Sequence, residues 1–289
     1  MALINKLEAI GNAIRSKTGG TSDLTLTEMV TEIENIPTGQ VLPTSNGFAN
    51  DSWETIIQIA DMGLAPKYYN IGDYKTIDLT AVTDTTEQNK SLTAYTVNVY
   101  IVAFNKMNLN GGGLGKITFM AVPTDEVDYN NWKLPVPYAY FSWAGAGTLQ
   151  NWLDTTLKAS FPQVVQSAMK LVDQKFYNNY VGEVVTGSHY VSLPNCFNLG
   201  MDYVGDLEND SIITKVRSKG TEHTFDYFAD YQRRSNNFLY KYGFNNNRKF
   251  LLADTCDNWF FWRTNRSLDL TEKVDNRNNT FNLLPIFTI

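Results

Sequence analysis

The stretch Val97-Asn98-Val99-Tyr100-Ile101-Val102-Ala103 decides how the rest of the chain is read. Val97, Val99, Ile101 and Ala103 alternate with Asn98, Tyr100 and Val102, and a period of two sends successive side chains to opposite faces of a strand. Lys116 to Val122 reads as the next strand, and Asn110 to Gly113 between them is a loop by composition. Upstream, Asp51 or Ser52 can cap a helix in which Trp53, Ile56, Ile57 and Ala60 share one face and which Gly63 closes. Tyr69 to Thr76 then leads into β-structure.

Downstream, Leu149, Trp152, Leu153, Leu157 and Phe161 return at helical spacing, and Val164, Val165, Ala168 and Leu171 continue it after a break at Pro162. Short apolar or aromatic runs follow at Tyr190 to Leu193, Trp259 to Trp262 and Phe281 to Leu284, separated by Asn- and Asp-rich loops. Helices set among strands with long irregular connections predict an α+β domain.

The N-terminus has a different organisation. Leu3, Leu7, Ile10 and Ile14 recur at steps of four and three, which places them on one helical stripe that Gly19 and Gly20 end. A second helix begins with a capping box, Thr25 and Glu28, continues through Leu26, Met29, Val30, Ile33 and Ile36, and stops at Pro37 and Gly39. Two helices this short bury little by themselves, so their stripes should meet each other, another copy of the chain or a docking partner. The expected organisation is a helical docking or oligomerisation segment over 1–40, carried by Leu3, Leu7, Ile10, Ile14, Leu26, Met29 and Ile33. A linker over 41–51 and a large domain over 52–289 follow.

Composition narrows the function. The chain has 289 residues, 43% of them hydrophobic and 13% aromatic, enough for a sizeable core. A formal charge of -6 disfavours the phosphate backbone of nucleic acid. No run of about 18 apolar residues suggests a membrane span, and Asn5, Glu8 and Asn12 interrupt what a signal peptide would need, so the chain reads as soluble and made in the cytoplasm.

Catalytic chemistry finds little support. His189 and His223 lie far apart and read as loop or surface residues, and Cys196 and Cys256 stand sixty positions apart without metal-ligand spacing. Gly111-Gly112-Gly113 reads as a turn rather than a phosphate loop. Carboxylate pairs such as Asp125 with Glu126, or Asp206 with Glu208, would suit a wall polysaccharide hydrolase, but acidic loop pairs are commonly solvated. Calcium would suit the Asp202 to Asp210 stretch, which lacks calcium-loop spacing, so no cofactor is expected.

The C-terminal third is more informative. It interleaves Tyr240, Tyr242, Trp259 and Trp262 with Asn245, Asn246, Asn247, Asn258 and Arg263, and these nine form the candidate ligand-binding set. Aromatic faces stack on sugar rings while Asn and Arg bond hydroxyls, and the same mixture suits protein recognition. The alternative is core, since aromatic residues at strand spacing commonly pack inside.

The run over residues 3–36 resembles a segment found near the N-termini of tail, baseplate and other virion proteins of phages infecting Gram-positive bacteria. Its marks are Ala13-Ile14-Arg15, Lys17-Thr18-Gly19 and the helix from Leu26 to Ile36. The span from Ser52 to Ile289 resembles a domain family without established function in those bacteria and their phages. It does so at Ser52-Trp53-Glu54, Ile71-Gly72-Asp73, Thr148 to Leu157 with Phe161-Pro162 and Lys170, Leu193-Pro194, Trp262-Arg263-Thr264 and Leu284 to Phe287. That family is similar in pattern to the C-type-lectin-like fold of formylglycine-generating enzymes and phage receptor-binding tips. The chain departs from it at Ser142-Trp143-Ala144-Gly145 and lacks an Arg before Trp152, and without a close cysteine pair the oxidising activity does not carry over.

The resemblance implies a short helical hairpin joined to a C-type-lectin-like domain, with the ligand-facing loops in the C-terminal third. The expected protein is a non-enzymatic tail or fibre adhesin of a bacteriophage particle. It would be a homo-oligomer contacting other virion proteins and a host surface glycan or protein. The alternative is a capsid decoration or head-fibre protein.

Overall fold

A computed structural model describes residues 2–18, 24–35, 42–83, 92–123, 149–178, 183–195, 197–200, 224–229, 250–257, 260–264, 270–275 and 283–289. The chain divides into two compact units, Met1–Thr44 and Ser45–Ile289. The fold is α+β with antiparallel sheets, none of which closes into a barrel among the described residues. Among those residues no helix is long and apolar enough to cross a membrane.

The first unit holds α1 (Ala2–Thr18) and α2 (Leu26–Asn35). The capping box forms as the sequence predicts. Glu28 N donates to Thr25 Oγ1 at 3.3 Å while the Glu28 carboxylate accepts from Thr25 N at 2.7 Å, so two amides at the helix start find partners. The Thr25 amide and hydroxyl hold the Glu28 carboxyl below its ordinary pKa.

The second unit opens with α3 (Trp53–Asp61), where the Ser52 hydroxyl accepts from Thr55 N and caps the helix. α4 (Ala65–Tyr68) follows, then β1 (Tyr74–Leu79), β2 (Tyr95–Phe104) and β3 (Ile117–Pro123). Next come α5 (Leu149–Trp152), a π-helical segment (Leu153–Leu157), α6 (Lys158–Ser160) and α7 (Gln163–Ala168). The rest is β4 (Val172–Asn178), β5 (Glu183–His189), β6 (Val191–Ser192), α8 (Asp226–Ala229), β7 (Phe250–Asp257), β8 (Phe260–Thr264), β9 (Leu270–Asp275) and β10 (Ile286–Thr288). The central sheet runs β1-β2-β3-β10-β6; β4 and β5 form a hairpin, and β7-β8-β9 a third sheet.

The predicted alternation in β2 is present, but both of its faces are buried. Val97, Val99 and Ile101 share one core with Phe119, Phe287 and the α3 face made by Trp53, Ile56, Ile59 and Ala60. Tyr100 and Val102 share a second core with Met120, Ile286 and Phe228. A bulge between Ile101 and Ala103 shifts the register, and Ala103 joins the second core rather than continuing the face of Ile101. Asn98 tolerates burial because Thr76 Oγ1 donates to its Oδ1 at 2.6 Å.

Two further expectations are corrected. The helix predicted as regular from Leu149 to Phe161 widens into π geometry over Leu153–Leu157. After Pro162, α7 ends at Ala168, so Leu171 lies beyond the helix on the way to β4. The turn reading of Gly111-Gly112-Gly113 holds, with Leu109 N bonded to Gly113 O at 3.0 Å. Gly115 leaves room for β10, since a Cβ there would lie 2.0 Å from Thr288 Cγ2.

Ser45 to Asp51, within the stretch whose composition suggests a linker, packs into the large unit. Phe48 is buried in the first core, and the Asp51 carboxylate accepts from the Ser45 hydroxyl, from Asn46 N at 2.6 Å and from Tyr69 OH at 2.8 Å. Lys75 Nζ donates to the carbonyls of Ala49 and Asp51 at 3.0 and 2.9 Å. Burial pushes the Asp51 carboxyl up, but these three donors and the Lys75 charge outweigh it and hold the carboxyl below its ordinary 3.8. The same burial and the neighbouring carboxylate raise Tyr69. A lowered carboxyl pKa contributes stability in full above the unfolded value and loses it as pH falls through the lower native value. Asp51→Asn is therefore expected to lower thermal stability at neutral pH and to reduce the loss of stability below about pH 4, read from melting curves across an acid series.

Candidate functional site

Sequence-predicted site residues fall in two places. In the first unit, Ile14 is buried and Leu7 and Met29 are half-buried, whereas Ile10 and Leu26 are 47% and 63% exposed and Val30 55%. Leu3 lies on α1 and Ile33 on α2. The helices approach at Gly11, where a Cβ would come 2.9 Å from Met29 Cε. The contact line thus runs through Gly11 and Ile14, which turns Ile10 outward. A glycine inside a helix costs about 1 kcal/mol against alanine, and that penalty is the one sequence signal for a close approach here.

In the large unit, Tyr240, Tyr242, Asn245, Asn246, Asn247, Asn258 and Trp259 lie outside the described residues, as do Cys196, His223, the carboxylate pairs and the Asp202 to Asp210 stretch. Trp262 and Arg263 lie on β8, the middle strand of its sheet, in register with Lys273 and Glu272 of β9. Among the described residues no group of three or more His, Cys, Asp and Glu is placed to hold a metal ion.

The most organised polar centre is one that sequence reasoning missed. Asp154, in the π-helical segment, accepts from Tyr190 N at 2.8 Å and Val191 N at 3.0 Å through Oδ1, and from Gln150 Nε2 at 2.9 Å through Oδ2. His189 Nδ1 lies 3.0 Å from the same Oδ2. Gln150 Nε2 also donates to Val191 O at 2.7 Å. The wider π turn gives Asp154 the offset that meets two consecutive amides where β5 turns into β6.

A His–carboxylate pair is half of a nucleophile-activating triad, so the other ring nitrogen decides what it can do. His189 Nε2 stands over the backbone of Gly187, where a Cβ would lie 2.2 Å from it. The base end of the ring therefore faces its own strand, and the arrangement works as a clamp between helix and sheet. His189, expected in a loop or on the surface, is the last residue of β5 and only partly exposed. Beside the clamp, Lys158 Nζ sits 3.4 Å from the centroid of the Tyr190 ring.

Comparison of the chain with family models, with curated proteins and with solved structures returns no match.

Removing the Asp154 carboxylate leaves two backbone amides and a glutamine amide without their acceptor. Asp154→Ala should cost about 3 kcal/mol, measured by denaturant unfolding of the full chain. In the first unit, Gly11→Ala meets only the movable end of Met29 and should change helix stability by less than about 1 kcal/mol. Gly11→Val, bulkier and β-branched, should lower the helical signal by circular dichroism and speed amide exchange in α1.

Proposed function

We propose that this chain is a non-enzymatic structural component of a bacteriophage particle. In this reading it is a tail or fibre adhesin that docks through its N-terminal helical unit and meets the host surface with a C-type-lectin-like large domain. The observation that carries the docking half is the apolar surface left over after α1 and α2 have met, namely Ile10, Leu26 and Val30. Helices of 17 and 10 residues are marginal without further packing, so covering those side chains contributes both stability and attachment. The resemblance of residues 3–36 to phage virion segments supports the same assignment.

The adhesive half draws on composition and framework. A sheet whose inner strands β2 and β3 are buried on both faces is a rigid support, and binding residues are best displayed on loops held by such a scaffold. The C-terminal aromatic and Asn-rich segment supplies stacking faces and hydrogen-bonding groups for a surface glycan or a protein receptor. A binding rather than catalytic role is supported by the Asp154–His189 pair, whose base end is turned onto Gly187. The partners in this reading are other virion proteins, further copies of the chain, and the host surface.

Glutamate at Ile10, Leu26 and Val30 together should reduce incorporation of the chain into particles at least about ten-fold, since each charge would have to be buried on docking. The large unit should keep its near-ultraviolet dichroism and its saturable binding to host cells and extracted wall polysaccharide. Wild-type levels of incorporation would remove the docking claim. Absence of binding by the unmodified chain would remove the adhesin claim and favour a decoration protein, which immunolabelling of particles would then locate.

A further inference from the structure

β1 is the edge strand of the central sheet. Ile101 N donates to Asp73 O at 2.9 Å, so alternation along the strand turns the backbone groups of Lys75, Ile77 and Leu79 toward β2. Those of Tyr74, Thr76, Asp78 and Thr80 point outward, and Thr80 N accordingly donates away from the sheet to Ser160 O at 2.8 Å. Among the described residues nothing bonds to the backbone N–H or C=O of Tyr74, Thr76 or Asp78. All three are exposed, Tyr74 by 48%. The usual protections of an edge are thin here: β1 has no proline and no bulge, and its lysine, Lys75, is tied back to the carbonyls of Ala49 and Asp51.

We infer that this edge pairs antiparallel with β1 of a second copy of the chain, about a two-fold axis at Thr76. The open window has a definite length. Ser160 closes it beside Thr80, and at the other end Gly72, at φ +92°, bends the chain back so that its amide reaches Ile101 O. Three outward residues centred on Thr76 match themselves in reverse, with Thr76 opposite Thr76, and Tyr74 of each copy opposite Asp78 of the other. Every outward N–H and C=O in both windows then finds a partner. Ser160 of each copy falls opposite Gly72 of the other, where the strand has already turned away.

Side chains select the same register. The two Asp78 carboxylates sit at opposite ends of the antiparallel window, whereas parallel in-register pairing would set them side by side and repel. Tyr74 already lies over Tyr100, with ring centroids 5.0 Å apart, and Asp78 accepts from Thr96 Oγ1 at 2.6 Å, so the window is held extended before it pairs. A flexible peptide would have to order itself against three residues, and a second copy brings a window already ordered. The contact is much smaller than the roughly 800 Å² per partner of a stable interface, so it forms where copies are already concentrated. It uses the large unit alone and is independent of docking through α1 and α2.

The test is amide hydrogen exchange of the full chain across a dilution series, with Thr76→Lys, Thr76→Glu and their equimolar mixture. The amides of Tyr74, Thr76 and Asp78 should gain about ten-fold protection or more at high concentration, while Lys75, Ile77 and Leu79 stay equally protected throughout. Either variant alone sets like charges opposite each other at the axis and should lose the concentration-dependent protection; the mixture sets opposite charges there and should regain it. Fast exchange of the outward amides at every concentration would overturn the inference. So would protection that ignores dilution, which would mean that another segment of the same chain covers the edge. Failure of the mixture to recover would also refute the two-fold register.

Discussion

The large unit depends on the five residues Pro285 to Ile289. β10 runs between β3 and β6, and without it the central sheet would be two separate pieces. Ile289 O accepts from the amides of Lys116 and Ile117, Thr288 O from Lys170, and Pro285 O from Ala121. The hydroxyls of Thr118 and Thr288, 170 residues apart in sequence, meet at 3.1 Å. Phe287 then joins the aromatic cluster, 5.1 Å from Phe119 and 5.0 Å from Phe161 between ring centroids. Contacts of such separation carry a loop-closure entropy that local pairings avoid, and the hydrogen bonds and ring packing of these residues offset it together.

Once β10 is in place, β2 and β3 have core on both faces, and the outer strand β1 keeps exposed positions. β6 is a two-residue edge strand with little pairing of its own, and Asp154 and Gln150 hold it against the helical layer through its amides and carbonyl. At the opposite edge, no described residue bonds to the outward backbone of β1 between Tyr74 and Asp78. Among the described residues, one edge of the sheet is thus bound to the helical layer, and the other presents outward backbone groups.

Much of the local structure was legible in the sequence because it follows from short-range chemistry. The Thr25–Glu28 box, the Ser52 cap, the break at Pro162, the glycine turn at Gly111 to Gly113 and the strand from Val97 to Ala103 each depend on residues within a few positions of one another. The candidate site was much less legible. Asp154 is an ordinary acidic residue in an apolar helical pattern, and its partners at the β5–β6 corner stand 35 to 37 positions away. Phe48 and Asp51 sit in a run of Pro, Gly, Ser and Asn that reads as linker until Tyr69 and Lys75 are brought to them. Of the N-terminal apolar stripe, the spacing was readable and Ile14 is buried, but Ile10 is not, because Gly11 meets α2 in its place.

By itself the sequence determined the helix starts at Thr25 and Ser52, the break at Pro162 and the strands from Val97 and Lys116, since periodicity, caps and prolines act through the nearest turns of the chain, whereas the β4–β5 hairpin and the π turn at Leu153–Leu157 left no such local mark. It also determined that the chain has a small helical part and a large α+β part, because the compositional break near residues 37–51 separates two different patterns. Only the tertiary structure decided that β2 is covered on both sides, that the bulge moves Ala103 to the other core, that a π turn aims Asp154 at the β5–β6 corner, and that β1 lies at the edge of the described sheet. Each of these rests on a partner dozens of residues away, and no local pattern encodes which distant segment will fill a given face.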